Sequence, residues 1–110
     1  MKNVCGTLSL LLLSFVMSTS GMDDFTWTGY VTDTHCGTNC QRTTDMKPDL
    51  ECIQRCVRKG SKYGLWSGNH VYVLEPQQQA LSFAAQNVRV TGKQRGNTIH
   101  IVSIQAVPGR

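Results

Sequence analysis

What this 110-residue chain lacks narrows its class before any motif is considered. Charge is modest, with eleven basic against seven acidic side chains and a formal net charge of +4. That is too mild for a surface built to hold nucleic acid. No apolar run is long enough for a spanning helix, which needs roughly 20 residues. There is no internal repeat, no low-complexity tract and no composition shift that would mark a second folded domain. No Ser, His or Asp constellation points to catalysis, since His70 and His100 fall on strand-like sequence without a partner motif. An enzyme is therefore not expected. The C-x-x-C pair typical of thiol oxidoreductases is also missing, as is the βαβ order of thioredoxin-like folds. That chemistry stays third in rank, sustained by Cys52 near a helix start with Arg55, Arg58 and Lys59 close by.

What is there begins with an export signal over residues 1–21. Lys2 gives a short positive start, Val4 to Met17 is mostly apolar, and Ser18-Thr19-Ser20-Gly21 offers small residues for cleavage. The run is too short and wrongly flanked to span a bilayer. Cys5 is expected to leave with it. The mature chain, 22–110, is one small domain expected in the periplasm or secreted, with no transmembrane segment and as a monomer. Losing Lys2 leaves ten basic side chains against seven acidic ones, a net charge near +3. A core of this size is marginal alone, and cross-links or a metal commonly supplement it.

The stretch from Cys36 to Cys56 supplies the supplement. It holds two C-x3-C pairs, Cys36/Cys40 and Cys52/Cys56, separated by eleven residues. Around the second pair the sequence predicts a short helix. Asp49 suits the N-cap, Glu51 the first turn, Arg58 and Lys59 the last, and Gly60 the C′ position. Leu50, Ile53 and Val57 form one stripe of that helix, with Cys52 and Cys56 on the stripe beside it. At i,i+4 the two Cβ atoms would lie roughly 5–6 Å apart, whereas a disulfide wants about 3.8 Å. Both sulfurs must then reach back to Cys36 and Cys40. Two connectivities remain: 36–56 with 40–52, or 36–52 with 40–56. The nested first option lets loop and helix run back along each other. Each bridge would add about 2–4 kcal/mol.

The rest of the chain reads as short strands. Residues 25–32 are aromatic and β-branched, with Gly29 marking a bulge or bend. Residues 61–67 and 70–75 form a hairpin about Ser67-Gly68-Asn69. Pro76 opens a helix over 77–86 in which Leu81, Ala84 and Ala85 share a face. Val88 and Val90 alternate in a fourth strand. In the fifth, Ile99 and Ile101 keep one phase and Val102, Ile104 and Ala106 the other, a slip that a bulge would produce. Three strands, a helix and two strands give a mainly β fold. We expect a small OB-like five-stranded barrel with one helix between strands 3 and 4 and a Cys-rich loop-helix insertion, residues 33–60, after strand 1. An open α+β sandwich is the alternative.

The motif Gly29-Tyr30-Val31-Thr32-Asp33-Thr34-His35-Cys36-Gly37, then Cys52-x3-Cys56-Val57-x2-Gly60-x2-Tyr63, then Val88-x-Val90-Thr91-Gly92, resembles a family of small exported bacterial domains. The resemblance covers most of the mature chain. It implies an OB-like fold and no named activity. Family members often carry His where this chain has Cys40, so the resemblance also implies a metal-ligand pattern. The twin C-x3-C spacing is similar to that of the helical-hairpin chaperones of the mitochondrial intermembrane space, but strand-like sequence on both sides excludes them.

Three functions follow in order. The first is an exported, disulfide-stapled binding or envelope-associated module with no cofactor. The second is a metal domain holding Zn²⁺ or copper on Cys36, Cys40, Cys52 and Cys56, with His35 or Met46 as auxiliary soft or borderline donors for Cu(I). The third is the oxidoreductase. Asp33 is expected to hold a backbone turn. Trp66 and Tyr72 could form a ligand face, whereas Trp27, Tyr30 and Tyr63 are assigned to the core. Arg42, Lys47, Arg55, Arg58, Lys59 and Lys62 surround the cysteine stretch as a solvated basic face.

Overall fold

The computed structural model of the protein describes residues 24–108. The expected export signal lies outside the described residues, as do positions 22, 23, 109 and 110. Five strands are observed: β1 (Phe25–Asp33), β2 (Tyr63–Ser67), β3 (His70–Glu75), β4 (Asn87–Arg95) and β5 (Thr98–Ala106). Helix α1 (Leu50–Arg58) lies between β1 and β2, and α2 (Gln77–Leu81) between β3 and β4. The strands close into a barrel in the order β1-β2-β3-β5-β4, with β4 pairing back to β1. All neighbours are antiparallel except β3 and β5, which run parallel. This is the OB arrangement, with the insertion after β1 as the sequence predicts.

Closure depends on β1 serving two partners. Its first part, Phe25 to Tyr30, pairs with β4, and its second part, Tyr30 to Asp33, pairs with β2. The changeover sits at Tyr30, next to Gly29, where an added Cβ would run into the backbone carbonyl of Trp66. Only glycine lets the two backbones come this close, so the predicted bend is a steric requirement. Inward residues Val31, Leu65, Leu74, Val88, Val90 and Ile99 are fully buried and fill the barrel.

Two local expectations need correction. The helix after Pro76 is one short run, Gln77–Leu81, rather than ten residues. Leu81 is exposed, and Ala80 is the residue it buries. The chain leaves the helix because it has a sheet partner: Ala85 N–H donates to Val31 O (2.8 Å), and Val31 N–H donates to Gln86 O (3.0 Å). Ala85 takes a positive φ of 66° to make this contact. In β5 the phase slip is real, with the register shift opposite Thr91/Gly92. Val102 is the extra residue and is exposed, while Ile104 resumes the inward set opposite Val90. Helix α2 is fastened to the barrel by Gln77, whose amide accepts from Tyr63 N–H (2.7 Å) and donates to the carbonyls of Tyr63 (2.9 Å) and Leu74 (2.7 Å). Among the described residues no helix is long and apolar enough to cross a membrane.

Candidate functional site

The insertion is built outward from the end of β1. Asp33, the last β1 residue, is fully buried. Its Oδ2 accepts from the backbone N–H of His35 (3.0 Å) and Cys36 (2.7 Å), so it holds the turn expected of it. It also accepts the Ser61 hydroxyl (3.1 Å), reaching the far end of the insertion. The chain then makes a 3₁₀ turn, Gly37–Asn39, held to β1 by the Thr32 hydroxyl donating to Gly37 O (2.9 Å). A narrow loop follows: Gln41 bridges Pro48, and Asp49 N–H donates to Cys40 O (2.8 Å). Cys40 therefore sits at the base of this loop, against the start of α1.

Helix α1 has the predicted ends. Asp49 Oδ1 accepts Glu51 N–H (3.1 Å), and Gly60 follows the C-cap at φ 111°, a conformation that favours glycine. Ile53 is fully buried and Val57 half-buried, whereas Leu50, the third member of the stripe, is exposed. Burying Ile53 contributes about 1.5–3 kcal/mol to docking the helix. That docking turns Cys52 and Cys56 toward the segment upstream.

The four cysteines meet. Their sulfurs all lie within 4.8 Å of one another. Cys40 and Cys52 are bonded, with Cα atoms 5.5 Å apart. This pairing belongs to the nested connectivity and not to the 36–52/40–56 alternative. Cys36 and Cys56 are unbonded, with their sulfurs in the same cluster. The bonded pair is the deeper one: Cys40 is 1% exposed, while Cys36 and Cys56 are half-buried. The neighbouring Cys36 thiol, partial burial and the nearby Asp33 carboxylate together push the Cys56 thiol up to about 11. Cys56 is therefore a neutral thiol at pH 7.

A pocket of about 690 Å³ opens over Cys36 and Cys56, with His35, Lys59, Ser61 and Lys62 also on its wall. His35 is exposed and lies outside the sulfur cluster, and Met46 is 62% exposed. Of the basic side chains noted in the sequence, Arg42 pairs with Asp45 and Lys62 approaches Glu75 at 3.5 Å. Asp45 holds the Arg42 guanidinium above its ordinary value by hydrogen bonding and charge.

Trp66 and Tyr72 do not form one face. Tyr72 stands opposite Leu65 and points inward, its ring 6.0 Å from Trp27 and 4.4 Å from His70. Trp66 stands between Tyr30 and Val71 on the outer surface. Adjacent positions in a strand point to opposite sides, and the hairpin register puts these two on different parity. For the same reason Tyr30, assigned to the core, is a half-buried outer residue, while Tyr63 and Trp27 face inward.

Sequence reasoning missed two features. One is the complete burial of Asp33, whose Oδ1 has no hydrogen-bond partner. The other is Ser61, which accepts His35 N–H at 3.0 Å and links Asp33 to the end of α1. Aspartate three residues before a cysteine was the available signal for the first. Nothing in the sequence marks Ser61. No family model, curated protein or solved structure matches this chain.

Proposed function

We propose that this chain is an exported binding or envelope-associated module whose insertion is stapled by two disulfides, Cys40–Cys52 and Cys36–Cys56. The single observation that carries this is the sulfur cluster, one pair bonded and the other two sulfurs within 4.8 Å of it and of each other. The apolar leader over 1–21 and the likeness to exported bacterial domains support the compartment, where such thiols oxidise. The surface offered to a partner is the insertion together with the outer face of β2 and β3, where Trp66 and Val71 lie beside it. Gly37 supports that placement, because a Cβ there would come to 3.7 Å from Val71 Cγ2. The intact mass of the mature protein is expected about four daltons below the fully reduced value, roughly two hydrogens per bridge. Four free thiols and no metal in freshly isolated protein would end this reading.

The same cluster supports a second reading. Tetrahedral Zn²⁺ with bonds of about 2.3 Å to sulfur needs four sulfurs as closely grouped as these, and Cu(I) also selects soft thiolates. It requires the Cys40–Cys52 bond to be reduced. Elemental analysis of protein never exposed to chelator separates the readings: one equivalent of metal with four thiols supports the second.

A further inference from the structure

The four sulfurs are not equivalent. One pair is bonded and its Cys40 is sealed; the other is unbonded, half-buried and open to a pocket. Beneath the open pair lies Asp33, fully buried, with Oδ2 saturated by three donors and Oδ1 left without a partner. An unpaired buried carboxylate oxygen is costly. Both a structural turn and a second static staple would be served without it.

We propose that Cys36 and Cys56 form a thiol–disulfide exchange site, with Asp33 Oδ1 as the proton acceptor, that opens and closes while Cys40–Cys52 stays shut. This rests on the two-bridge reading above. In the closing direction Cys36 attacks a small disulfide R–S–S–R′ entering the pocket. A Cys36–S–S–R bond forms and R′S⁻ leaves. Cys56 then gives its proton to Asp33 Oδ1 and attacks the Cys36 sulfur, forming Cys36–Cys56 and expelling RS⁻. Two electrons pass from the protein to the small disulfide, and the two protons end on the released thiols. The reverse sequence, driven by a small thiol, reopens the bridge. Cys36 is assigned the first attack and Cys56 the second, an order that the serine variants below test directly. Lys59 and Lys62 on the pocket wall favour an exchange partner bearing carboxylates.

The test uses the mature protein with its bridges mapped beforehand. It is equilibrated in mixtures of reduced and oxidised glutathione, quenched in acid, alkylated and mapped by mass spectrometry. A species alkylated only at Cys36 and Cys56 is expected over about a tenfold range of ratios or more. Simultaneous opening of both bridges, or opening of Cys40–Cys52 first, overturns the proposal. Asp33→Asn should slow closure by oxidised glutathione about tenfold or more, with Cys40–Cys52 intact, and an unchanged rate removes the proton role. Should that variant not fold, single serine variants decide. Cys56→Ser should trap a glutathione adduct on Cys36 and Cys36→Ser should trap little on Cys56, whereas equal trapping refutes the order of attack. Closure no faster with oxidised glutathione than with neutral hydroxyethyl disulfide overturns the anionic class. Failures of the two readings differ: thiols at 36 and 56 that never close, with Cys40–Cys52 intact, defeat the exchange site. Four thiols or bound metal defeat the two-bridge reading beneath it.

Discussion

Removing the deep bridge by Cys40→Ala/Cys52→Ala should lower stability by an amount that its loop length sets. The bonded residues are twelve apart in sequence. In the chain-entropy description a loop of about that length removes roughly 9.5 cal/mol/K from the unfolded chain, or about 2.8 kcal/mol at 25 °C. For a domain of this size each kcal/mol moves Tm by about 4–8 °C, so the midpoint should fall by roughly 11–22 °C. The loss also reaches β1, because the bridge holds the 3₁₀ turn and α1 together over Thr32 and Asp33, both fully buried. The assay is thermal unfolding by circular dichroism at pH 7 without reductant, wild type against double variant. A fall below about 4 °C, less than one kcal/mol on that scale, would refute the reasoning, since the insertion would then be held without the bridge.

With the Cys36–Cys56 pair reduced and Cys40–Cys52 intact, stability should decline between pH 9 and about 11. The folded state raises the Cys56 pKa from 9.0 to about 11, so its contribution is full below 9 and is lost as pH passes 11. Cys56→Ser should remove that decline in a pH series of urea midpoints, and a decline that persists contradicts the assignment. Gly29→Ala should destabilise by about 1–3 kcal/mol through the clash with the Trp66 carbonyl; a neutral result in urea unfolding would mean β1 can move away from β2. Asp49→Ala should cost about 1 kcal/mol as a lost N-cap and loosen α1, seen as faster amide exchange at Glu51. Gln77→Ala should cost about 1–3 kcal/mol, because it strands the Tyr63 N–H and two carbonyls; an unchanged urea midpoint would contradict that role.

The barrel was legible because its signals are local. Alternation in Val88 and Val90, hairpin chemistry at Gly68-Asn69 and a breaker at Pro76 fix element order, and that order admits few topologies. The end of α2 was not legible. Leu81, Ala84 and Ala85 fit a helical stripe, but Val31 offers sheet hydrogen bonds to Ala85 and Gln86, and a long-range partner outweighs propensity. One helical turn between Cys52 and Cys56 argued against their bonding and left two pairings open; the choice of Cys40 for Cys52 came only with the fold. The parity of Trp66 and Tyr72 depends on hairpin register, which their shared aromatic character concealed. Asp33 reads as a turn residue in the sequence, and only the fold shows that Ser61 joins the His35 and Cys36 N–H groups on it and that it is fully buried.

The most direct test of the central claim is non-reducing peptide mapping, with metal content measured on the same sample, of protein taken from its own compartment. Linked peptides 40–52 and 36–56 and no metal are expected. A 52–56 link, a 36–52 link or a stoichiometric metal with four free thiols would contradict it.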